Sequence, residues 1–198
     1  MHEESSHQQV LRIKNMVCPR CITAVQHELE KLGLRVLEVV LGSATVEASQ
    51  DLDISAIEAA LVSQGFELIL DKQEDLVESI KIAVIDLIRS EKIATLATNV
   101  STYLAYALGK DYSTISTAFK ASEGVALSRF VVLQKVERAK ELLSYDELSK
   151  AEIATRLGYK SLQHLSSQFK EVTGFTLLQY KKNNNPQRNS IDNLLGPS

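Results

Sequence analysis

The chain has 198 residues and lacks the features on which several protein classes depend. Two cysteines and no tryptophan exclude a small secreted scaffold held by several disulfide bonds. Three prolines and eight glycines exclude a collagen-like or linker-like chain and argue against a turn-rich β-sandwich. The most apolar stretch, residues 80–88, contains Lys81 and Asp86 and is too short to span a bilayer. The polar, acidic start of the chain does not resemble a signal peptide, and we expect a cytoplasmic protein without a membrane partner.

Charge is divided unevenly along the chain. Hydrophobic residues make up 44% and charged residues 24%, an ordinary balance for a globular protein. The formal net charge of −3 combines −5 on residues 1–72 with +2 on residues 73–198. The hydrophobic pattern changes from mixed strand and helix to helix alone at residues 71–74. We therefore predict one domain over residues 1–72, a second over residues 73–182, and a flexible tail over residues 183–198.

The first domain alternates between strand-like and helix-like patterns. Residues 10–14 alternate apolar and basic side chains, which predicts a half-buried strand. Residues 19–32 carry apolar side chains at helical spacing and end at Gly33. The rest of the pattern predicts strands over residues 34–41, 44–48 and 66–70, and a helix capped by Asp53. The order βαββαβ within about 65 residues indicates a ferredoxin-like domain in an α+β protein.

Two cysteines lie where the first strand gives way to the first helix, in the segment Cys18-Pro19-Arg20-Cys21. Proline suits the first helical position because its missing N–H would be unpaired there. The positive potential of a helix N-terminus is expected to lower thiol pKa values and favour thiolates. Two thiolates three residues apart can bind one soft metal ion, and Cu(I) or Zn(II) suits such ligands.

The segment Met16-Val17-Cys18-Pro19-Arg20-Cys21 within this topology resembles the heavy-metal-associated domain of copper chaperones and metal-pumping ATPases. The resemblance covers about residues 8–71. It implies that Cys18 and Cys21 bind a thiophilic ion, with Cu(I) as the first expectation and Zn(II) or Hg(II) as alternatives. It also implies that Met16 packs beneath the loop and that Phe66 shields the site. The chain has Asn15 where the family usually has glycine before the methionine.

Other interpretations of the cysteine pair stay open. It can be a redox pair, although a thioredoxin-like site needs a different fold order. It can also be a relic in a structural or partner-binding module, because short motifs give false positives. We interpret His27 as a surface residue on another helix face, and His2 and His7 as weak auxiliary ligands at most.

The second half contains two copies of one sequence unit. Residues 115–120 and 165–170 share Ser, Phe and Lys at an offset of 50, and Gly124 matches Gly174 at the same offset. A short helix ending in Leu-Gly precedes each copy, at Gly109 and at Gly158. A repeat of this size indicates a duplicated supersecondary unit. A short helix, a turn and a second helix is the helix-turn-helix pattern, so we predict two such units in an all-α domain.

In each copy, polar side chains recur at i, i+3, i+4 and i+7 on the face opposite the predicted core. Short hydroxyl and amide groups can contact base edges, and lysines can reach phosphates. The alternative is a solvated polar face without a ligand. The predicted core residues of the first copy are Ile115, Ala118 and Phe119. The candidate contacts to double-stranded DNA are Ser113, Ser116, Thr117 and Lys120 in the first copy, and Gln163, Ser166, Ser167 and Lys170 in the second.

An amphipathic helix over residues 127–144 is predicted between the copies. Eighteen helical residues extend about 27 Å, close to the roughly 34 Å between successive major-groove faces on one side of B-DNA. This connector can therefore hold two recognition helices in adjacent grooves. Upstream, apolar residues at helical spacing over residues 76–88 predict a helix that packs on the first copy and joins the domains.

The second half resembles the DNA-binding domain of the AraC/XylS family of bacterial transcription regulators over about residues 74–182. The stretches that carry the resemblance are residues 112–124, 136–143, 152–159 and 164–180. It implies that the second helix of each unit enters the major groove, and it adds Leu162 to the contacts. Thr117 and Ser167 stand where many members have arginine, which predicts modest, salt-sensitive affinity raised by a second protomer. Leu177 stands where members of this family often have a proline after the second unit. His164 is expected to lie at the groove edge or to cap the helix.

Together these patterns predict a DNA-binding transcription regulator that responds to a thiophilic metal ion at Cys18 and Cys21. RNA polymerase is an expected partner, and a metal shared by two protomers would create a homodimer. Three alternatives remain. The first is a metallochaperone whose helical half docks protein partners, the second is a thiol oxidoreductase that uses the cysteine pair, and the third is a regulator that responds to thiol oxidation. The sequence contains no recognisable catalytic constellation, so we do not expect an enzyme.

Overall fold

The computed structural model describes residues 7–48, 52–70 and 72–182. His2, Asp71 in the predicted domain boundary, and the predicted tail from residue 183 onwards lie outside the described residues. The chain divides into two compact units between Ile82 and Ala83. The division falls inside a helix that begins at Lys72, within the predicted boundary segment of residues 71–74.

The first unit contains a four-stranded sheet and two helices before the dividing helix. The strand order is β2-β3-β1-β4, and every neighbouring pair is antiparallel. The prediction of an α+β protein with an antiparallel sheet before a helical half is confirmed at this level. The fourth strand is shorter than predicted. The elements are β1 His7–Lys14, α1 Pro19–Lys31, β2 Arg35–Val40, β3 Ser43–Ala48, α2 Ile54–Ser63, β4 Glu67–Leu68 and α3 Lys72–Arg89.

The core of this unit lies between the sheet and helices α1 and α2. Alternate residues of β1 and β3 point to one side of the sheet, as the period of two in a strand requires. Asp53 accepts a hydrogen bond from the backbone N–H of Ala56 at 3.0 Å, so the predicted cap of α2 is confirmed. The fully or nearly fully buried residues that form this core include Leu11, Ile13, Val25, Leu29, Ala44, Val46, Ile57 and Leu61.

The first turns of α3 contact β1 through ion pairs. The Nε of Arg12 lies 2.6 Å from a carboxylate oxygen of Asp75, and Lys14 Nζ lies 2.9 Å from Glu74. Partial burial alone would lower the pKa of Lys14, but the hydrogen bond and negative charge of Glu74 outweigh it, with help from Glu67, and raise the pKa. The start of α3 is therefore held against β1 by complementary charge.

The second unit is helical. A short 3-10 turn at Lys92–Ala94 follows α3, and six further helices complete the described residues of this unit. No helix in the described parts of the chain is long and apolar enough to cross a membrane. The helices are α4 Val100–Leu108, α5 Tyr112–Glu123, α6 Leu127–Tyr145, α7 Lys150–Arg156, α8 Leu162–Thr173 and α9 Leu177–Lys182.

The predicted repeat is visible in the element bounds. Helices α5 and α8 each have 12 residues and begin 50 residues apart. Helices α6 and α9 also begin 50 residues apart. Both α5 and α8 end at a glycine with positive φ, 70° at Gly124 and 76° at Gly174. At positive φ a β-carbon is strained, so glycine is favoured at this turn in both copies.

Equivalent aromatic pairs pack α5 against α6 and α8 against α9. The ring centroids of Phe119 and Phe130 are 5.0 Å apart, and those of Phe169 and Tyr180 are 5.3 Å apart. Such pairs add packing energy beyond the area they bury. Helices α5 and α8 are thus each joined to the helix that follows by an equivalent aromatic contact.

The C-terminal end of α3 is joined to α6 by charge. The Glu141 carboxylate lies 3.3 Å from Arg89 and 3.0 Å from Arg138, and it accepts a hydrogen bond from the Tyr145 hydroxyl at 3.1 Å. Burial alone would raise the pKa of Glu141, but Arg89 and Arg138 outweigh it and hold the pKa below its ordinary value. The carboxylate therefore stays charged inside this network at neutral pH.

The turn between α7 and α8 requires glycine for two reasons. Gly158 has a φ of 67°, and a β-carbon there would lie 2.7 Å from the backbone oxygen of Ile93. Gly109, in the corresponding turn of the first copy, has a φ of 60° but no atom within 4 Å of such a β-carbon. Left-handed backbone strain would therefore arise from a β-carbon at either position, whereas steric contact would arise only at Gly158.

We expect Gly158→Ala to lower the free energy of unfolding by more than Gly109→Ala. The Gly109 variant adds only left-handed strain of about 1–2 kcal/mol, whereas the Gly158 variant also displaces the backbone at Ile93. Urea unfolding followed by circular dichroism compares them. Equal midpoints for the two variants would show that the close approach at Ile93 is unimportant.

Candidate nucleic-acid interface and cysteine loop

The outer stripes of α5 and α8 have the same exposure at equivalent positions. The first, third and fourth members of each stripe are exposed and the second is half-buried. None of the eight side chains is acidic, so neither stripe carries a charge that repels phosphate. The stripe residues are Ser113, Ser116, Thr117 and Lys120 on α5, and Gln163, Ser166, Ser167 and Lys170 on α8.

Buried anchors determine which face of each helix is exposed. Ile115 and Phe119 of α5 are completely buried, as are Leu165 and Phe169 of α8. Ala118, predicted in the core, is only half-buried because it lies at the border of the apolar face. With two positions of each helix fixed in the core, the polar stripe of that helix must face outwards.

The start of α8 is built by local hydrogen bonds and ring contacts. The Ser161 hydroxyl caps the helix by accepting from the backbone N–H of His164 at 3.2 Å. The His164 ring packs edge-on against Tyr159 at 5.3 Å, and Lys135 Nζ lies 4.6 Å above the same tyrosine ring. Burial raises the pKa of Tyr159 to about 12. Leu162, predicted as a contact, is 38% exposed at the first helical position.

A cleft of about 530 Å³ lies beside the stripe of α5. The first residues of α6 form its opposite wall, and Lys120 contributes the positive charge. The stripe is therefore bordered by a concave surface with both apolar and hydroxyl groups. The lining residues are Tyr112, Ser116, Thr117, Lys120, Ala121, Ala126, Leu127 and Ser128.

The cysteine loop brings its two sulfur atoms together. Cys18 is the N-cap of α1, Cys21 lies in the first turn, and the Sγ atoms are 3.5 Å apart. Both side chains are half-buried and neither forms a disulfide bond. Zinc–sulfur bonds are about 2.3 Å long, so sulfurs at this separation fit two ligands of one thiophilic ion. The donor set therefore suits the predicted metal chemistry.

The pKa of Cys21 differs from the expectation drawn from its helical position. Burial, together with neighbouring Cys18, raises the pKa despite hydrogen bonds with the backbone of Val17 and Cys18. The expected lowering by the helix N-terminus is therefore wrong for Cys21. A metal ion would have to displace the proton of this thiol on binding.

The residues around the loop are well ordered by packing. Met16 is completely buried and Phe66 is 6% exposed in the same apolar cluster, against which Cys21 packs. Met16 thus belongs to the core, as predicted. His27 is exposed, as predicted, and the described residues contain no group of three or more His, Cys, Asp or Glu able to hold a metal ion.

Asn15 supports the loop from the end of β1. Its φ is 70°, in the left-handed region that glycine and asparagine adopt most readily. Its side-chain amide donates to the Gly65 carbonyl and its backbone N–H donates to Glu78 Oε1, each at 3.2 Å. Glu78 is only 3% exposed and lies on α3. Asparagine therefore supplies the backbone conformation and adds a side-chain hydrogen bond.

Several supporting residues had no clear signal in the sequence. Glu78 contacts Asn15 across 63 positions, and Arg129 forms an ion pair with Glu171 at 2.6 Å across 42 positions. Nothing in local spacing indicates such pairs. They become visible only when the elements are assembled.

Part of the second half is similar to a known domain type. A family model described as a helix-turn-helix domain matches residues 104–183, which are 80 of the 198 residues. None of the curated protein sequences compared with the chain matches it. The prediction of a helix-turn-helix domain is thus confirmed for this segment.

Solved structures of bacterial regulators are similar to the chain at low identity. The C-terminal domain of AraT, a response regulator from Geobacillus stearothermophilus, is 23% identical, with 57% of this chain and 88% of that chain covered and a TM-score of 0.48. An AraC-type regulator from Chromobacterium violaceum is 19% identical, with 55% and 94% covered and a TM-score of 0.46. The DNA-binding domain of AdpA in complex with a target DNA is 23% identical, with 53% and 91% covered and a TM-score of 0.45. The family match remains the firmer result: residues 104–183 match a helix-turn-helix domain.

Proposed function

We propose that the protein is a sequence-specific, double-stranded-DNA-binding transcription regulator of the AraC type. The observation that carries the proposal is the pair of outer stripes, which repeat the same polar chemistry and the same exposure at an offset of 50. A solvated face without a ligand needs no such repetition. The helix-turn-helix match over residues 104–183 supports the same function, and the presence of an AraC-type regulator among the similar structures agrees with it.

The connector has a length suited to two adjacent grooves. Helix α6 has 19 residues, which extend about 28 Å at 1.5 Å per residue. One turn of B-DNA spaces equivalent major-groove faces by about 34 Å. Each recognition helix can then contact base edges with its hydroxyl and amide groups, while Lys120 and Lys170 contact phosphates.

Affinity is expected to be moderate. Thr117 and Ser167 are hydroxyl residues, so neither supplies the bidentate guanine contact that arginine makes. Residues 73–198 carry a net charge of only +2. We propose that a second protomer raises the affinity and that DNA-bound protein acts on RNA polymerase.

Removal of either stripe lysine tests this function. We expect Lys120→Ala and Lys170→Ala each to weaken binding to a duplex selected by the unaltered protein. Each variant should reduce the slope of log K against log salt by about 0.9, because one phosphate contact is lost. Fluorescence anisotropy at several salt concentrations measures both effects.

Lys31→Ala, which removes an exposed lysine of the first unit, is the matched control and should leave the slope unchanged. If Lys31→Ala alters the slope as much as the stripe variants do, binding is diffuse attraction to charge. If the stripe variants bind like the unaltered protein, the stripes do not face DNA.

We also propose that the first unit is a ferredoxin-like domain of the heavy-metal-associated kind that binds a thiophilic ion, Cu(I) first and Zn(II) or Hg(II) as alternatives. The sulfur separation of 3.5 Å supports it, as does the order of elements around the sheet. Two thiolates leave a coordination shell incomplete, so an ion shared by two protomers would produce a homodimer.

Helix α3 contributes residues to both compact units. In the first unit, its residue Glu78 accepts a hydrogen bond from the backbone of Asn15, three residues before Cys18. In the second unit, its residue Arg89 pairs with Glu141 of α6.

The double variant Cys18→Ser/Cys21→Ser tests metal dependence. We expect it to fold and to bind the selected duplex, but to lose any change in DNA affinity on addition of Cu(I), because the thiolate ligands are removed. Titration with Cu(I) followed by ultraviolet absorption and by anisotropy measures binding and response separately.

His27→Ala removes an exposed metal-binding side chain outside the loop and should respond to Cu(I) like the unaltered protein. A full response of the double cysteine variant would contradict the metal proposal. An unaltered protein that binds Cu(I) but no specific duplex would favour a metallochaperone. A response to oxidant but not to metal would favour thiol-redox control.

A further inference from the structure

The two recognition helices share the chemistry of their second turn. Ser116 and Ser166 are identical and equally half-buried, and Thr117 and Ser167 are both exposed hydroxyl residues. Lys120 and Lys170 follow at the same spacing, equally exposed. Two helices that offer the same hydroxyl donors and acceptors in the same order present the same hydrogen-bonding pattern to the major groove.

We propose that the operator carries one short base motif twice, one copy for each recognition helix, with centres about one helical turn apart. This inference rests on the proposed DNA-binding function and defines the DNA that the site takes. It departs from the alternative in which the two units contact unrelated half-sites.

The anchoring of the helices supports equal presentation to DNA. In each copy the same two helical positions are fully buried, and the second of them holds an aromatic ring against the next helix at 5.0 Å or 5.3 Å. Each helix also ends at a positive-φ glycine. Equal anchors give each stripe the same rotation about its helix axis. The two helices therefore present the same chemical groups in the same orientation.

The first turn differs between the copies and predicts where the two half-sites differ. Tyr112, Ser113 and Thr114 of α5 correspond to Leu162, Gln163 and His164 of α8. Glutamine can bind adenine through two hydrogen bonds, whereas serine contacts several bases. The copy facing α8 is therefore expected to prefer adenine where the copy facing α5 is less selective.

Selection from a random duplex pool by the unaltered full chain tests the inference. We expect the enriched sequences to contain the same motif twice, with centres about 10–11 base pairs apart. Two half-sites without similarity in either relative orientation would overturn the inference while leaving the proposed function intact. Failure to enrich any duplex would overturn the proposed function and this inference with it.

Matched arginine substitutions sharpen the result. Thr117→Arg and Ser167→Arg should each introduce a guanine preference of about 5- to 150-fold, at the same motif position but in different copies. Ser122→Arg adds the same charge on another face of α5 and should introduce none. Guanine gained at unrelated motif positions would contradict equal presentation.

A reciprocal exchange tests the difference between the copies. In the variant Ser113→Gln/Gln163→Ser, the adenine preference should move from the copy facing α8 to the copy facing α5. The same selection measures it. An adenine preference that stays in place would show that these residues do not determine the difference.

Discussion

The rotation of α5 and of α8 about their own axes is the constraint on which the second half depends. Ile115 with Phe119, and Leu165 with Phe169, leave no exposed surface in their side chains. Because successive helical residues are turned by about 100°, burying positions i and i+4 also determines which residues face outwards. The polar stripes are a consequence of the core, and a slip of one residue would bury a lysine.

In the first unit, burial likewise affects the chemistry of the cysteine loop. Met16 is completely buried in the apolar cluster against which Cys21 packs, and the sulfurs of Cys18 and Cys21 lie 3.5 Å apart at the start of α1. The same burial makes thiolate formation at Cys21 less favourable. The two sulfurs therefore lie close enough to act as ligands of one ion under our proposal, and the raised pKa of Cys21 means that such an ion would compete with a proton. Glu78 connects this loop to the helix that leads into the second half.

Much of the architecture could be predicted because its signals are local. Apolar spacing predicted the helices, Asp53 predicted the cap of α2, and the offset of 50 predicted two equal units. Features that depend on residues far apart in the sequence were not predictable. The left-handed backbone at Asn15 and the close approach of Gly158 to Ile93 depend on the assembled fold. The raised pKa of Cys21 depends on burial, which the helix-terminus argument does not contain. The DNA contacts of the stripe residues and the metal site stay predictions.

The most direct test of the account is footprinting of the full-length protein on chromosomal DNA, with and without Cu(I), at increasing salt. The account predicts discrete protected segments that span two successive major grooves on one face of the duplex. Protection should fall with salt and change with Cu(I). Absence of any discrete protected segment at low salt, or uniform protection without sequence preference, would contradict it.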